Sequence, residues 1–310
     1  MRTATPREVV GEPSLGFVSD PFITHRSLLF TVAYEMLGSA ADAEDVVQET
    51  WLRWADVDEA GVRDPRAYLV QIVTRQALNR MRTLTRRRED YMGEWLPEPV
   101  LTSPDVADDV VLAESVSIAM LTVLETLGPT ERAVFVLREV FETPYDEIAE
   151  AVDKAPAAVR QIAHRAREHV AARRPRVRVS PSEQQAAVER FLAALDSGDM
   201  QGLLDVLAPE VVLVADGGGQ VPAIRQPVAG AEQVAALLSG FGRVVPDADI
   251  RIVWLNGAPA VRIDLDGELN TAVSLVIEDG RITHIYAMRN PHKLGRLGEE
   301  LPLSRSSSVR

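Results

Sequence analysis

The sequence has no cysteine among its 310 residues, which excludes disulfide bonds and thiolate metal sites. It also has no apolar run near the roughly 20 residues that a membrane-spanning helix needs. Its first residues, MRTATPREVVGEPSLG, lack the apolar segment of a signal peptide. We therefore expect a cytoplasmic protein with no membrane partner, and the length predicts roughly two or three domains.

Positive charge is scarce and is concentrated in two short segments. The net charge is −13, which by itself argues against a nucleic-acid partner. Residues 62–88, however, contain eight arginines and one acid, and residues 156–178 contain seven arginines and one acid. Both segments fall on predicted helices, so they indicate contact with phosphates. The alternative is a pair of solvated basic faces.

The chain from Pro21 to Asp90 has the periodicity of helices. In HRSLLFTVAYEML the apolar residues follow the spacing of a buried stripe, Gly38 is placed to end the helix, and Ser39 is placed to cap the next one. That next helix, ADAEDVVQETWLRWADV, has one apolar and one polar face. Its predicted inward stripe is Val46, Val47, Thr50, Trp51 and Trp54. A third helix begins near Pro65 and contains the first arginine-rich segment.

A linker from Tyr91 to Asp109 separates this part from a second helical block, Val110 to Arg174. The second block contains ETPYDEIAEAV, with Thr143 as its predicted cap, then the turn DKAP and the helix PAAVRQIAHRAREHVAARR. This pattern is typical of a helix-turn-helix, whose second helix enters the major groove of DNA. The predicted inward residues of that helix are Val159, Ile162, Ala163, Ala166 and Val170. An ordinary helical hairpin is the alternative.

Pro175 and Pro181 mark a domain boundary, beyond which strand patterns dominate. Two helices come first, one with Ser182 as its predicted cap, and a further helix is predicted from Gly230 to Leu238. The strand patterns are EVVLVAD, DADIRIVWLN, APAVRIDLDG, LNTAVSLVIEDG and RITHIYAMRN, and EDG indicates a hairpin turn. Helices packed on a curved antiparallel sheet make an α+β domain.

Three segments together resemble a known family. AEDVVQETWLRW, DPRAYLVQIVTRQALNRMR and LGPTERAVFVLREVFETPYDEIAEAVDKAPAAVRQIAHRARE are similar to regions 2 and 4 of the extracytoplasmic-function (ECF) class of bacterial RNA polymerase sigma factors. WLPEP, DGGGQ (Asp216 to Gln220) and NPHKL (Asn290 to Leu294) resemble the signature stretches of one ECF subfamily. Its members carry a SnoaL-like domain, a cone like that of nuclear transport factor 2, after region 4.

The resemblance implies a multidomain chain with two all-α sigma domains, a region 2 helical bundle and a region 4 helix-turn-helix, followed by an α+β SnoaL-like cone. The expected divisions are a flexible tail at 1–20, region 2 at 21–90, the linker at 91–109, region 4 at 110–178, the SnoaL-like domain at 181–300 and a flexible tail at 301–310.

The implied function is that of an alternative sigma factor, which is not an enzyme and needs no cofactor or metal. It would bind core RNA polymerase at the β′ clamp helices and the β flap and direct promoter-specific initiation. The implied polymerase-binding residues are Glu44, Asp45, Gln48, Glu49 and Arg53. The candidates for the promoter −10 element are Arg63, Arg66, Tyr68, Gln71, Arg75, Asn79 and Arg80. The candidates for the −35 element are Ala157, Ala158, Arg160, Gln161, His164, Arg165 and Arg167.

Two departures put the −35 contacts in question. Many relatives have a basic residue where this chain has Ile162, and a turn that often contains glycine is Asp153-Lys154 here. Aspartate tolerates the left-handed conformation better than most residues.

The signature stretches imply regulation in cis by the SnoaL-like domain, without the need for a separate anti-sigma factor. The three glycines of DGGGQ allow close approach to another surface, although a plain hairpin turn is the alternative. Trp95 in the linker would bury against the docked domain, or else fold back on its own helix. The implied interdomain residues are Trp95, Leu96, Pro97, Asp216, Gly217, Gly218, Gly219, Asn290, Pro291, Lys293 and Leu294.

An alternative is that the C-terminal domain is a ligand sensor, or a cyclase- or isomerase-like enzyme, fused to a DNA-binding module. Cones of this type often hold an apolar pocket, which leaves room for a small-molecule ligand. His284 and Tyr286 are the best candidates for polar pocket residues, because strand alternation puts them on one face with Ile282 and Met288. Asp264 alternates outward in VRIDLD and is a poor candidate for a base.

Overall fold

A computed structural model describes residues 20–89, 91–174, 179–241 and 247–306. The expected tail at 1–19, the boundary residues 175–178 and the end of the chain at 307–310 lie outside this description. The described residues form two helical blocks followed by a cone of helices and strands. We call residues 20–89 the first block, residues 110–174 the second block, and residues 179–294 the cone.

The first block contains three long helices, and its boundaries are fixed by capping residues. Asp20 accepts a hydrogen bond from the N–H of Phe22 at the start, and Gly38 ends the first helix in the left-handed conformation. Ser39 then caps the second helix, as the sequence predicts. The helices are α1 (Pro21–Leu37), α2 (Ala40–Ala55) and α3 (Pro65–Glu89), with a 3-10 turn at Glu59–Gly61.

The second block is built from short helices. They are α4 (Val110–Val116), α5 (Ile118–Leu124), α6 (Pro129–Phe135), which runs on into a π turn at Val136–Val140, α7 (Tyr145–Val152) and α8 (Pro156–Ala171). Asp153 ends α7 with a left-handed φ of 54°, so the turn of the helix-turn-helix forms without glycine. The predicted cap is wrong here, because Pro144 occupies the N-cap position and Thr143 is buried beside it.

The cone packs helices against one face of a mixed six-stranded sheet. Its elements are α9 (Pro181–Ser197), α10 (Met200–Val206), β1 (Leu207–Asp216), β2 (Val228–Ala229), α11 (Ala231–Leu238), β3 (Asp249–Leu255), β4 (Ala258–Leu265), β5 (Glu268–Glu278), β6 (Arg281–Met288) and α12 (Pro291–Leu294). The sheet order is β2-β1-β6-β5-β4-β3, and β1 and β6 are parallel. Ser180, rather than the predicted Ser182, caps α9 through a reciprocal pair with Glu183.

The hydrophobic cores show how the parts are joined. One cluster runs continuously from α1, α2 and α3 into α6, α7 and α8, so the two helical blocks share a core. A second cluster fills the interior of the cone between its helices and the sheet. A third lies on the outer face of the sheet, where Leu96 of the linker and Ile118 of α5 pack against Tyr286 and Met288.

Within the described ranges, no helix is long and apolar enough to cross a bilayer.

Two strand predictions fail on the outer face of the sheet. Thr283 is an extra residue in β6 opposite β5, so Ile282 packs inside the cone while Tyr286 and Met288 face the other way. Asp264 is on the face of the sheet opposite to that of Ile263, as alternation predicts. It is only 2% exposed, however, so the predicted exposure to solvent is wrong. Its carboxylate is paired with two arginines, Arg251 and Arg262, and Arg262 also donates a hydrogen bond to the carbonyl of Leu297 in the C-terminal segment.

The end of the chain also differs from the expected tail. The sequence predicts a flexible segment from residue 301, whereas 301–306 lie against both helical blocks, and Leu303 is buried in the core that the blocks share.

Candidate functional site

The three signature stretches meet at the side chain of Asp216, the last residue of β1. This carboxylate is fully buried. Its Oδ1 accepts hydrogen bonds from the Tyr91 hydroxyl at 2.6 Å and from the Gly218 N–H at 3.0 Å. Its Oδ2 accepts from the Leu96 N–H at 2.9 Å and from Lys293 Nζ at 2.7 Å. One buried charge is thereby held by donors from the linker, the glycine turn and α12.

Lys293 supplies the opposite charge and is enclosed by aromatic rings. Its Nζ lies 4.1 Å from the centroid of the Trp95 ring and 4.9 Å from that of Tyr91. It also donates a hydrogen bond to the carbonyl of Leu96. A cation between ring faces and a carboxylate is well stabilised only while all of these partners stay in place. Trp95 therefore contacts α12 of the cone rather than folding back on its own helix.

The glycine stretch allows the close approach of α12. Gly218 has a φ of +59°, and a Cβ added there would lie 2.2 Å from the side-chain amide of Asn290. A Cβ on Gly219 would lie 3.1 Å from Met92 of the linker. Asn290 caps α12 and donates to the Tyr91 hydroxyl at 2.8 Å. We call Tyr91, Trp95, Leu96, Asp216, Asn290 and Lys293 the signature centre.

The remaining predicted interdomain residues support this centre from nearby positions. Leu294 is buried in the cluster on the outer face of the sheet, and Pro97 is buried in the linker. A Cβ on Gly217 would meet its own turn, 2.6 Å from the carbonyl of Val221. Pro291 is exposed and starts α12.

Asn256, which the sequence analysis missed, ties the cone to the linker and to both helical blocks. It is 1% exposed, in the turn between β3 and β4. Its Nδ2 donates to the Tyr34 hydroxyl at 2.7 Å and to the carbonyl of Val116 at 2.8 Å, and its Oδ1 accepts from the N–H of Val100. The dipeptide Asn256-Gly257 signals a tight turn in the sequence, but nothing in that signal reveals the partners.

A buried charged cluster lies where the two helical blocks meet. Arg132 of α6 is 1% exposed, donates to the carbonyl of Glu35 at 2.8 Å and pairs with Glu125. Ser115 donates to Oε1 of Glu35 at 2.8 Å, while Glu35 Oε2 has no hydrogen-bond partner among the described residues. Burial raises the pKa of Glu35 to about 8, against the lowering effects of Ser115 and Arg132. Burial also lowers the pKa of Arg132 to about 9.

The predicted −10 face on α3 is partly covered by α7. Arg75 donates to the backbone carbonyl of Glu150 at 2.8 Å. A cavity of about 280 Å³ lies between the two helices. It is lined by residues of α3, by the residues just before α3 and by two acids of α7. Those lining residues include Arg63, Tyr68, Gln71, Glu147 and Glu150.

Other −10 candidates are engaged within the first block or remain exposed. Arg80 donates to Asp42 at 2.7 Å and to Asp45 at 3.0 Å, and the bond to Asp42 raises the pKa of the guanidinium. Tyr68 packs on Trp54 of α2. Arg63 and Asn79 are exposed, and Arg66 is half-buried. The structure therefore brings Tyr68 and Arg80 against α2, and Arg75 against α7.

The predicted −35 face on α8 is open. All five residues predicted to point inward are buried, including Ile162, so the departure at that position lies in the core of the helix-turn-helix. The exposed residues of the face are Ala157, Arg160, Gln161, His164, Arg165 and Arg167, and Ala158 is half-buried. The guanidinium of Arg160 lies 5.6 Å from the centroid of the Tyr145 ring, which orients it beside α7.

The predicted polymerase-binding face on α2 is mostly open and is more apolar than predicted. Asp45, Gln48, Glu49 and Arg53 are exposed, while Glu44 pairs with Arg296 beyond α12. Trp51 was predicted to face inward but is 45% exposed, and its neighbour Leu52 is 54% exposed. The prediction fails because Trp54, one turn further along, fills the inward position.

Comparisons with known proteins agree with this architecture. Family models match as "Sigma-70 region 2" over residues 22–87, "Sigma-70, region 4" over 117–170 and "SnoaL-like domain" over 188–285. The ECF RNA polymerase sigma factor SigJ of Mycobacterium tuberculosis is 36% identical over 283 residues, covering 86% of this chain and 90% of its own. The probable ECF RNA polymerase sigma factor SigI of the same species is 33% identical, covering 92% and 97%.

A crystal structure of Mycobacterium tuberculosis SigJ superposes with a TM-score of 0.72 at 32% identity, over 89% of this chain and 97% of that chain. The match spans both helical blocks and the cone, so the architecture as a whole is shared. The chain therefore belongs to the extracytoplasmic-function sigma factors, alternative sigma factors that direct promoter-specific transcription initiation, and it carries a SnoaL-like domain after region 4.

Proposed function

We propose that this sigma factor is held in a closed form in cis by its SnoaL-like domain, and that promoter engagement requires this form to open. As a sigma factor it works with core RNA polymerase and promoter DNA in the cytoplasm. The observation that carries the proposal is the signature centre, in which the linker is hydrogen-bonded to both members of a buried ion pair of the cone, Asp216 and Lys293.

We assign polymerase binding to the exposed face of α2. Polar residues there surround the exposed side chains of Trp51 and Leu52, and an apolar centre with a polar rim is typical of protein interfaces. The residues assigned to this face are Glu44, Asp45, Gln48, Glu49, Trp51, Leu52 and Arg53. Because Arg296 pairs with Glu44, the C-terminal domain already occupies one edge of the face in the closed form.

Promoter binding is assigned to α3 and α8. The closed form would leave α8 free to contact the −35 element, whereas α7 obstructs part of α3. Holding an opened −10 element needs unstacked bases to reach pockets on α3, so α7 must move first. A separate anti-sigma factor is not required by this proposal, because the cone and linker supply the restraining contacts.

A readout of transcription tests the assignment. Core polymerase loaded with the full chain should initiate at discrete sites on genomic DNA from the source organism, and mapped 5′ ends should share −10 and −35 elements. The Lys293→Met variant should change the amount of initiation without changing those elements. If the chain neither binds core polymerase nor yields discrete start sites, the function is wrong. Unchanged initiation by Lys293→Met would contradict regulation in cis.

We propose a non-enzymatic role for the cone. The two residues predicted to line a catalytic pocket, His284 and Tyr286, stack on each other with ring centroids 5.8 Å apart. They lie on the outer face of the sheet, with Tyr286 in the cluster that faces the linker and α5. That position supports a structural role at the interface.

Ligand sensing is a second candidate function, because a cavity lies between the second block and the cone. Its volume is about 410 Å³, within the range of small-molecule sites. It is lined by Ala113, Ser117 and Ile118 on one side and by Leu255, Ser274 and Val276 on the other. A small, largely apolar ligand bound there would raise the melting temperature, and Ala113→Trp should abolish that rise. Screening an apolar ligand library without any such shift would contradict sensing at this cavity.

A further inference from the structure

The C-terminal segment after α12 crosses from one helical block to the other. Its course begins at the linker, where the Leu301 N–H donates to the carbonyl of Leu101 at 2.8 Å. The Ser304 N–H then donates to Thr31 Oγ1 of α1 at 2.9 Å. Residues 301–306 thus contact the linker and the first block before they reach the second block.

Arg305 makes the contact with the second block. Its Nε donates to both carboxylate oxygens of Asp109, at 3.1 and 2.9 Å, and Asp109 is the N-cap of α4. Its Nη1 donates to the carbonyl of Val140, at the end of the π turn, at 3.0 Å. Charge-assisted hydrogen bonds of this kind are stronger than neutral ones. One side chain therefore joins the start of α4 to the turn that precedes α7.

Leu303 anchors the same segment in the core. It is 8% exposed and belongs to the cluster that the two helical blocks share. Beside it, a groove of about 540 Å³ runs along residues 302–306. Acidic residues of the 105–109 turn line that groove, which suits a basic segment.

We propose that residues 301–306 form a strap that closes the two helical blocks on each other, and that release of the strap from its groove favours separation of the blocks. The inference rests on the proposed function, because separation matters only if the two blocks bind two promoter elements. It assigns an additional closing role to a segment outside the signature centre. The signature centre fixes the cone to the linker, whereas the strap joins the first block to the second.

The strap suits release better than the signature centre does. The ion pair of the strap is more exposed, since Arg305 is 24% and Asp109 37% exposed, against 12% for Lys293 and 0% for Asp216. Competing water can replace partly exposed hydrogen bonds at lower cost than the bonds of a buried ion pair. Opening would therefore begin at the strap while the signature centre keeps the cone attached.

A distance measurement in solution tests the strap. The absence of native cysteine allows a pair of spin labels at Ala55→Cys and Ala171→Cys, exposed ends of α2 and α8, in the otherwise unchanged full chain. Two truncations form a matched pair: one ends at Ser306 and keeps the strap, and the other ends at Glu300 and lacks it. Arg305→Ala and Arg305→Lys keep the full chain length, so they test the strap even if the chain ending at Glu300 fails to fold.

The full chain and the chain ending at Ser306 should give the same short distance. The chain ending at Glu300 should add a longer-distance population, and Arg305→Ala should raise the ratio of long to short about tenfold, with Arg305→Lys between. If both the Glu300 truncation and Arg305→Ala keep the full-chain distance, with and without core RNA polymerase, the strap is refuted. Initiation by core polymerase, measured on the same samples, reports on the sigma function separately, so its loss in every chain would refute that function and not the strap.

Discussion

The two helices assigned to promoter DNA differ in accessibility. On α8 the basic face is exposed, and its apolar side is buried in the helix-turn-helix. On α3 the corresponding surface faces α7, Arg75 is bonded to Glu150, and Arg80 is paired with two acids of α2. If α8 and α3 bind the promoter as proposed, this difference predicts that recognition of a duplex −35 element and capture of an opened −10 element are separable steps.

We propose that the cone maintains this difference in accessibility from a distance. Among the described residues, the main packing partners of α3 are α1, α2, α6 and α7, whereas the cone holds the linker and the linker holds the junction of the two blocks. The Glu98 N–H donates to the carbonyl of Gly38 at 2.8 Å, and the Tyr34 hydroxyl donates to the carbonyl of Glu98 at 2.7 Å. Changes at the signature centre are therefore expected to alter α3 and to leave α8 unaffected.

Asp216→Ala should have the largest effect on the difference in accessibility between α3 and α8. It leaves the cation of Lys293 buried without its carboxylate and removes the acceptor for Tyr91 and Leu96, and breaking a buried pair costs about 3–5 kcal/mol. We expect the cone to detach or loosen and α3 to become accessible. Denaturant unfolding measures the loss, with Asp196→Ala, an exposed acid of α9, as control. Equal stability of the two variants would contradict the role of the centre.

Arg160→Ala combined with Arg165→Ala should act on α8 alone. Each arginine contact to a base edge is worth about 1–3 kcal/mol, so promoter binding should weaken by at least tenfold while α3 keeps its accessibility. Competition binding of the polymerase complex to a promoter fragment measures this effect. The control is the double change Arg190→Ala and Arg225→Ala, two exposed arginines of the cone. If the control weakens binding as much, α8 is not the specific contact.

Glu35→Gln should strengthen the junction of the two blocks in a pH-dependent manner. Because burial raises the pKa of Glu35 from 4.5 to about 8, folding takes up a proton between these values. The contribution of this carboxyl to stability is greatest below pH 4.5 and is lost as the pH rises towards 8. Glutamine avoids that loss, so the variant should be more stable by roughly 1–3 kcal/mol at pH 7.5 and nearly unchanged at pH 4.5.

Unfolding curves at both pH values check this prediction, with Glu232→Gln on the exposed face of α11 as the matched control. A gain of the same size at both pH values would show that the titration of Glu35 is not its cause.

Arg75→Ala should have the smallest effect. It removes one hydrogen bond between exposed groups of α3 and α7, which is worth about 1 kcal/mol or less. The free energy of unfolding should hardly change, while a cysteine introduced at Gln71 of α3 should react slightly faster with a maleimide. A destabilisation as large as that of Asp216→Ala would mean that the contact between α3 and α7, and not the signature centre, maintains the closed form.

Local sequence signals predicted the three long helices of the first block, the helix-turn-helix and the inward residues of α8. The caps at Ser39 and Gly38, the left-handed turn at Asp153 and the hairpin at Asp279-Gly280 depend on neighbouring residues in the chain, so the sequence contains their cause. The resemblance to the family pointed to the residues of the signature centre except Tyr91, and it did not specify their bonds.

Contacts between distant segments could not be predicted in this way. Asn256 bonds to groups more than 100 residues away in sequence, and no local pattern reveals them. The same holds for Asp264, whose alternation is correct but whose partner Arg262 also bonds to Leu297 near the C-terminus, and for Arg305, which pairs with Asp109. The prediction that Trp51 faces inward is wrong for a different reason. Trp51 and Trp54 both fit a stripe of helical periodicity, and only packing decides which one is buried.

The most direct test compares cysteine labelling on the two helices. Gln71→Cys places a thiol in the cavity between α3 and α7, and Ala157→Cys places one on the open face of α8, in a chain with no other cysteine. In the intact chain, a maleimide should react with Gln71→Cys several times more slowly than with Ala157→Cys. Adding Asp216→Ala should accelerate labelling at Gln71→Cys and leave Ala157→Cys unchanged. Equal rates at the two positions in the intact chain, or no acceleration by Asp216→Ala, would contradict the closed form held in cis.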